Sequence, residues 1–235
     1  MMRLSLLLLT TILLPCIARA DILVLATEPY PPFVMVEGDN VSGRGIRMVD
    51  LVMKETGQDY RIEVMPWARA IALARNDSAY CAFAAARTPD RERLFKWVEP
   101  LLITRNYLVA ASETGVRPKT LEEAKRYVVG THRHDFTEAL LKRLEFPRID
   151  VAVDFNLSFR KLLNRRIDLM PMSERTFRSL TQAGEKLEKT VLLAEQPLGI
   201  ACNPSVPDDL IDRMNANLRR ATESGELERI LSDVR

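Results

Sequence analysis

From Ile22 onward the chain alternates short strand-like runs with amphipathic helix-like runs, and this alternation is its strongest constraint. Tyr60, Ile62 and Val64 fall on every second residue, the period of a strand. Ile46, Val49, Val52 and Met53 fall on one face of a helix, which Gly57 ends. Strands are predicted at Ile22–Ala26, Tyr60–Val64, Tyr80–Ala86, Ile103–Ala111, Tyr127–Thr131, Ile149–Val153, Ile167–Met172, Val191–Ala194 and Leu198–Cys202. Helices are expected after Gly45 and over Trp67–Arg75, then from the capping box Thr120-Leu121-Glu122-Glu123. Further helices are expected from Asp135 to Leu144, over Leu157–Arg165 and Glu174–Ala183, and from Val206-Pro207-Asp208 to Gly225. Such repeated units predict an α/β architecture with mixed, mainly parallel sheets.

The amino terminus stands apart. Met1-Met2-Arg3 is a short cationic start, and Leu4 to Ile17 is an apolar run of about 14 residues. Ala18-Arg19-Ala20 reads as a small-x-small cleavage site. The run is short for a membrane span, so residues 1–20 are predicted to be a cleaved export signal, and no later segment is apolar enough to cross a membrane. The formal charge of +2 traces to Arg3 and Arg19; the remainder is balanced. A balanced chain lacks the basic face of a nucleic-acid binder.

Export places Cys81 and Cys202 in an oxidising compartment, where two cysteines invite a disulfide, with two separate buried thiols as the alternative. No C-x-x-C is present, which removes thioredoxin-like and zinc-ribbon readings. His132-x-His134-Asp135 invites a metal hypothesis, but the chain has no third histidine, and zinc sites need three or four ligands. No metal and no cofactor are expected.

One ordered series carries a resemblance. Tyr30-Pro31-Pro32-Phe33 follows the first strand, and Gly45-Ile46 with Asp50 opens the first helix. Arg87-Thr88-Pro89-Asp90-Arg91-Glu92-Arg93, then Phe95-Lys96-Trp97 and Pro100, close the first lobe. Gly199-Ile200-Ala201 leads into the terminal helix and Gly225. The series resembles the periplasmic solute-binding proteins of polar-amino-acid ABC importers, extracellular solute-binding family 3, across nearly the whole exported chain. The resemblance implies a type II periplasmic-binding-protein fold, two α/β lobes joined by two crossover hinge strands. One lobe would take residues 21–101 plus 196–235 and the other residues 102–195, both ordinary domain sizes. It also implies a periplasmic monomer that closes on a small polar, carboxylate-bearing solute and delivers it to an inner-membrane permease.

The same resemblance assigns roles. Arg91 would clamp the carboxylate, since a guanidinium fork makes two parallel charge-assisted bonds. Arg87 comes second to it, and Arg93 is expected on the surface. Tyr30, held between prolines, would cover the ligand, with Trp67 and Arg69 beside it. Ala84 and Ala86 stand where hydroxyl side chains are usual, so only backbone groups bind there. Arg133 and His134 occupy a ligand-contacting loop of the second lobe and suit an anionic group. Ser173, followed by Glu174, falls at the expected ammonium position. Cys81 would lie on a first-lobe strand and Cys202 on the returning strand beside it. Two rivals share the fold: a cyclohexadienyl-dehydratase-like enzyme with Glu28 or Glu174 as its acid, and a ligand-sensing module without transport.

Overall fold

The computed structural model describes residues 22–232. The predicted export signal, residues 1–20, lies outside them.

The first half is a three-stranded parallel unit. Strand β1 (Leu23–Thr27) sits between β4 (Tyr60–Val64) and β5 (Tyr80–Ala86), with Leu25 opposite both Ile62 and Cys81. A hairpin of β2 (Met35–Glu37) and β3 (Asn40–Ser42) precedes helix α1 (Arg44–Met53). Gly43 enters α1 at φ 120, with the Phe33 carbonyl oxygen 2.4 Å from where a Cβ would stand. No other residue type fits there.

Alternate residues of this unit face two cores. Leu23, Leu25, Cys81 and Phe83 pack under α1, α7 (Asp208–Glu223) and α8 (Glu226–Ser232). Ala26, Ala82 and Ala85 pack under α2 (Trp67–Asn76) with Phe95 and Trp97. Ala84, with φ 59, breaks the alternation of β5. The opposing register jumps there, pairing Ala85 with Gly199 and Phe83 with Ile200, so Ala84 is the extra residue of a bulge.

Two long strands, β6 (Lys96–Ala111) and β10 (Leu187–Cys202), run antiparallel to each other through both halves of the molecule. The six-stranded sheet has the order β4-β1-β5-β10-β6-β9, with β9 (Met170–Ser173) on its far edge. These strands correct the sequence reading. The strand predicted at Ile103 begins at Lys96, and the two predicted at Val191 and Leu198 are one. The strands pass through Pro100 and Pro197: pairing is continuous across Pro197, and the register shift between Leu198 and Ile200 falls opposite Pro100.

The second half is smaller. Strands β7 (Val129–His132) and β8 (Ile149–Ala152) pair in parallel, and a bridge from Val129 to Leu169 joins them to the segment entering β9. Helix α3 (Leu121–Ala124) and α4 (Phe136–Arg143) cover one core, where Ala124, Leu141 and Phe146 meet Leu108 and Leu193. Helices α5 (Phe155–Leu163) and α6 (Glu174–Gln182) cover another, with Phe155 and Leu162 against Val109, Met170 and Met172.

The bond between Cys81 and Cys202 is present, with an S–S distance of 2.05 Å. The two residues are directly opposed on β5 and β10 and fully buried.

Candidate functional site

Where the two halves face each other they enclose a cavity of about 70 Å³. One wall comes from the segment after β1, the start of α2 and the end of β5. The opposite wall comes from β6, the end of β7, the starts of α4 and α5, and β9. The starts of α4, α5 and α6 are capped by the chain itself. Asp135, Asp154 and Ser173 accept from the backbone N–H groups of Thr137, Leu157 and Thr176.

Arg91 is the buried cation of the first wall, 8% exposed. Its guanidinium donates to the carbonyl oxygens of Ala86, at 3.2 Å, and of His134 on the opposite wall. It lies over the Trp67 ring, 5.9 Å from the centroid. Burial pulls its pKa down, with Asp135 and Asp90 opposing, yet a guanidinium remains charged in any protein interior. Trp67 also crosses the cavity, its indole N–H donating to the same His134 carbonyl at 2.9 Å. That carbonyl is turned inward by a left-handed residue, His134 at φ 60. Non-glycine residues in this region are strained and concentrate at functional sites, and Ala84 on the facing wall is another.

Tyr30 reaches across as well. Its hydroxyl accepts from the Ser173 N–H at 3.0 Å, and its ring meets Phe155 edge-on at 4.8 Å. A fourth link is ionic. Glu28 Oε1 and His132 Nε2 lie 3.0 Å apart, both side chains about nine-tenths buried. Burial pulls His132 down, but Asp135, Glu28 and Asp154 outweigh it and hold the imidazole up at about 9. Burial likewise pushes the Glu28 carboxyl up, against the pull of His132.

Of the residues expected from sequence, Tyr30, Trp67, Ala84, Ala86, Arg91 and Ser173 all line this cavity. Arg69 does not: it is exposed on α2, two positions past the inward-facing Trp67. Arg133 and His134 are exposed too, and His134 offers only its backbone carbonyl. β7 ends at His132, which lines the wall beside Thr131; Arg133 lies past the strand and is exposed, and the left-handed turn carries the His134 side chain away. Because His132 is buried and His134 exposed, the two imidazoles do not converge on one point. Arg87 pairs with Glu92 and Glu99 instead of reaching the cavity, and Arg93 is exposed. Glu174 is held by Arg178 and Lys189 outside the cavity.

The sequence reading missed the Glu28–His132 pair, together with Asp135, Asn106 and Phe155 as wall residues. The position of Glu28 just after β1 was the available signal.

The sequence profile of the bacterial extracellular solute-binding proteins, family 3, matches residues 22–233. The chain belongs to this family. No curated protein matches the sequence significantly. Among solved structures, a similar fold is found in the arginine-, lysine-, histidine-binding protein ArtJ from the thermophilic bacterium Geobacillus stearothermophilus. It has TM-score 0.80 and 17% identity, covering 90% of this chain and 94% of that one. ArgBP from T. maritima, in a mutant form, superposes with TM-score 0.78 at 19% identity, covering 88% and 93% of the two chains. A histidine kinase sensor domain similar to periplasmic binding proteins gives TM-score 0.78 at 16% identity, covering 91% and 96%. At such identities the likeness is one of fold, and it makes this solute-binding protein a two-lobed one.

Proposed function

We propose that this family 3 protein captures a small carboxylate-bearing, amino-acid-like solute between its lobes and delivers it to an inner-membrane ABC permease. The observation that carries this reading is Arg91: a buried guanidinium on the cavity wall, backed by an indole, with only backbone carbonyls as hydrogen-bond partners. Two of the five guanidinium N–H groups serve these carbonyls, and the remaining donors are available to a solute carboxylate for charge-assisted bonds, each contributing about 1.5–3 kcal/mol. Tyr30 and Trp67 supply apolar walls, and Asp135 is the acid available for an ammonium group. Two structural relatives carry names of amino-acid binders, which supports the solute class.

Closure turns on β6 and β10, with the lobes changing over near Leu101 and Gln196, so that residues 21–101 with 196–235 form one lobe and residues 102–195 the other. Residues 1–20 direct the chain to the periplasm, where it works as a monomer. The protein carries out no chemical step on its solute. A second reading, ligand sensing without transport, is favoured by the sensor domain that shares the fold.

The experiment is titration of the exported chain with amino acids and small carboxylates, read by calorimetry and thermal shift. At least one solute stabilises the protein in a concentration-dependent way. Arg91→Ala weakens that solute by about 100-fold, the loss of one or two charge-assisted bonds. Unaltered affinity in Arg91→Ala overturns the reading. Co-purification with a permease separates delivery from sensing.

A further inference from the structure

The cavity wall carries four ionisable side chains, two acids and two bases: Glu28, Asp135, Arg91 and His132. Glu28 and His132 form a contact pair at 3.0 Å. Asp135 is the foremost opposite charge acting on Arg91. The wall is therefore balanced before any solute arrives, and a solute with net charge brings a buried charge that nothing on the wall offsets.

The balance is local as well as total. One oxygen of Glu28 is taken by His132, while the other, Oε2, is buried on the cavity wall without a partner. The amide nitrogen of Asn106, also on the wall and 5% exposed, is without a partner too. Buried polar atoms in this condition need a partner. Glu28 Oε2 asks for a donor and Asn106 Nδ2 for an acceptor. The donor has no need of a charge, because His132 already supplies the cation.

We propose that His132 is a specificity-determining residue: by sitting on Glu28 it fits the cleft to a net-neutral zwitterion with an uncharged hydrogen-bonding side group, and against solutes with a cationic side group. The inference rests on the amino-acid reading of the cleft and sharpens its solute class. His132 acts through Glu28 and positions its free oxygen. The groups facing the imidazole are Glu28 from the segment after β1, Asp135 from the start of α4 and Asp154 from the start of α5, with the Phe155 ring edge-on at 6.3 Å. These acids keep His132 protonated at neutral pH.

The test is calorimetric titration of the folded protein with glutamine, asparagine, serine and threonine, with arginine and lysine, and with glutamate. At pH 7 the best neutral amino acid binds at least tenfold more tightly than arginine or lysine. His132→Gln, which keeps a hydrogen bond to Glu28 but removes the charge, raises the affinity for arginine relative to that neutral amino acid at least tenfold. Glu28→Gln shifts preference the opposite way, toward glutamate. In the wild type, raising the pH past 9 moves the ratio toward arginine, a measurement that needs no variant to fold. Arginine or lysine binding as tightly as the best neutral amino acid at pH 7, or a ratio unmoved by both His132→Gln and pH, overturns the inference and leaves the amino-acid reading standing. No binding by any of these solutes to folded protein overturns both.

Discussion

The indole of Trp67 and the guanidinium of Arg91 share one acceptor, the main-chain carbonyl of His134 on the opposite wall. Two donors from one lobe thus converge on a single oxygen of the other. Removing one leaves that oxygen satisfied, so Trp67→Phe forfeits a hydrogen bond without orphaning a buried acceptor. The expected cost is about 1 kcal/mol of closure, or roughly fivefold in solute affinity. Trp67→Ala is different, because the side chain is 4% exposed. Emptying its place lowers global stability by about 3–5 kcal/mol. Calorimetry on the first variant and thermal denaturation of both check the distinction.

The disulfide makes a prediction about stability alone. Cys81 and Cys202 are 121 residues apart in sequence and buried in the core beneath α1 and α7. Closing so long a loop stabilises by at most about 4–5 kcal/mol in the chain-entropy account. Neither cysteine lines the cavity. The double variant Cys81→Ala, Cys202→Ala therefore melts at a clearly lower temperature, while its affinity for solute stays within about twofold of the wild type once folded. A large affinity change at temperatures where the variant is fully folded would contradict the separation of core from cleft.

The ion pair between Glu28 and His132 sets a pH dependence with a definite sign. His132 titrates near 9 in the folded protein against an ordinary value of 6.5. The folded state therefore holds the proton more tightly than the unfolded one. The stabilisation is complete below 6.5 and is lost as the pH rises through about 9. The Glu28 carboxyl, pushed up by burial, likewise holds its proton more tightly in the folded protein. Melting temperature measured from pH 6 to 10 falls more steeply in the wild type than in His132→Gln. Parallel curves would show that the pair contributes no proton linkage.

Gly199 sits where β10 passes the bulge at Ala84. A Cβ there would stand 2.7 Å from the Val98 carbonyl oxygen and 2.8 Å from Glu99 Cβ. The first of these is backbone in the centre of the sheet and cannot swing aside. Gly199→Ala should cost about 1–3 kcal/mol, read as a fall in melting temperature with solute affinity measured separately.

Much of this architecture is legible in the residues. Thr120, Asp135 and the Val206-Pro207-Asp208 stretch marked helix starts because capping is local chemistry, and Arg91 and Trp67 stood out by residue type and motif position. The cysteine pair could be expected once the two strands were taken as neighbours. What stayed hidden depends on geometry that spacing does not encode. The continuity of β6 and β10 through Pro100 and Pro197 is decided by long-range pairing. Arg133 and His134 looked better suited to a binding loop than His132 did. Which of the three faces inward is set by where β7 ends and by the left-handed turn at His134, and no local propensity announces that turn. The bulge at Ala84 was hidden for the same reason, since an alanine at positive φ has no signature of its own.

The order β4-β1-β5-β10-β6-β9 places β10 between β5 and β6. The strand between β5 and β6 is thus the last of the sheet's strands to be made. Until residues 198–202 arrive, β5 and β6 have a gap between them one strand wide, and Cys81 has no partner. The second half, whose elements lie between β6 and β10 in sequence, has nearly all of its chain by then. In order of synthesis the flanking strands thus precede the one between them, and that last strand is also the second of the two that run through both halves.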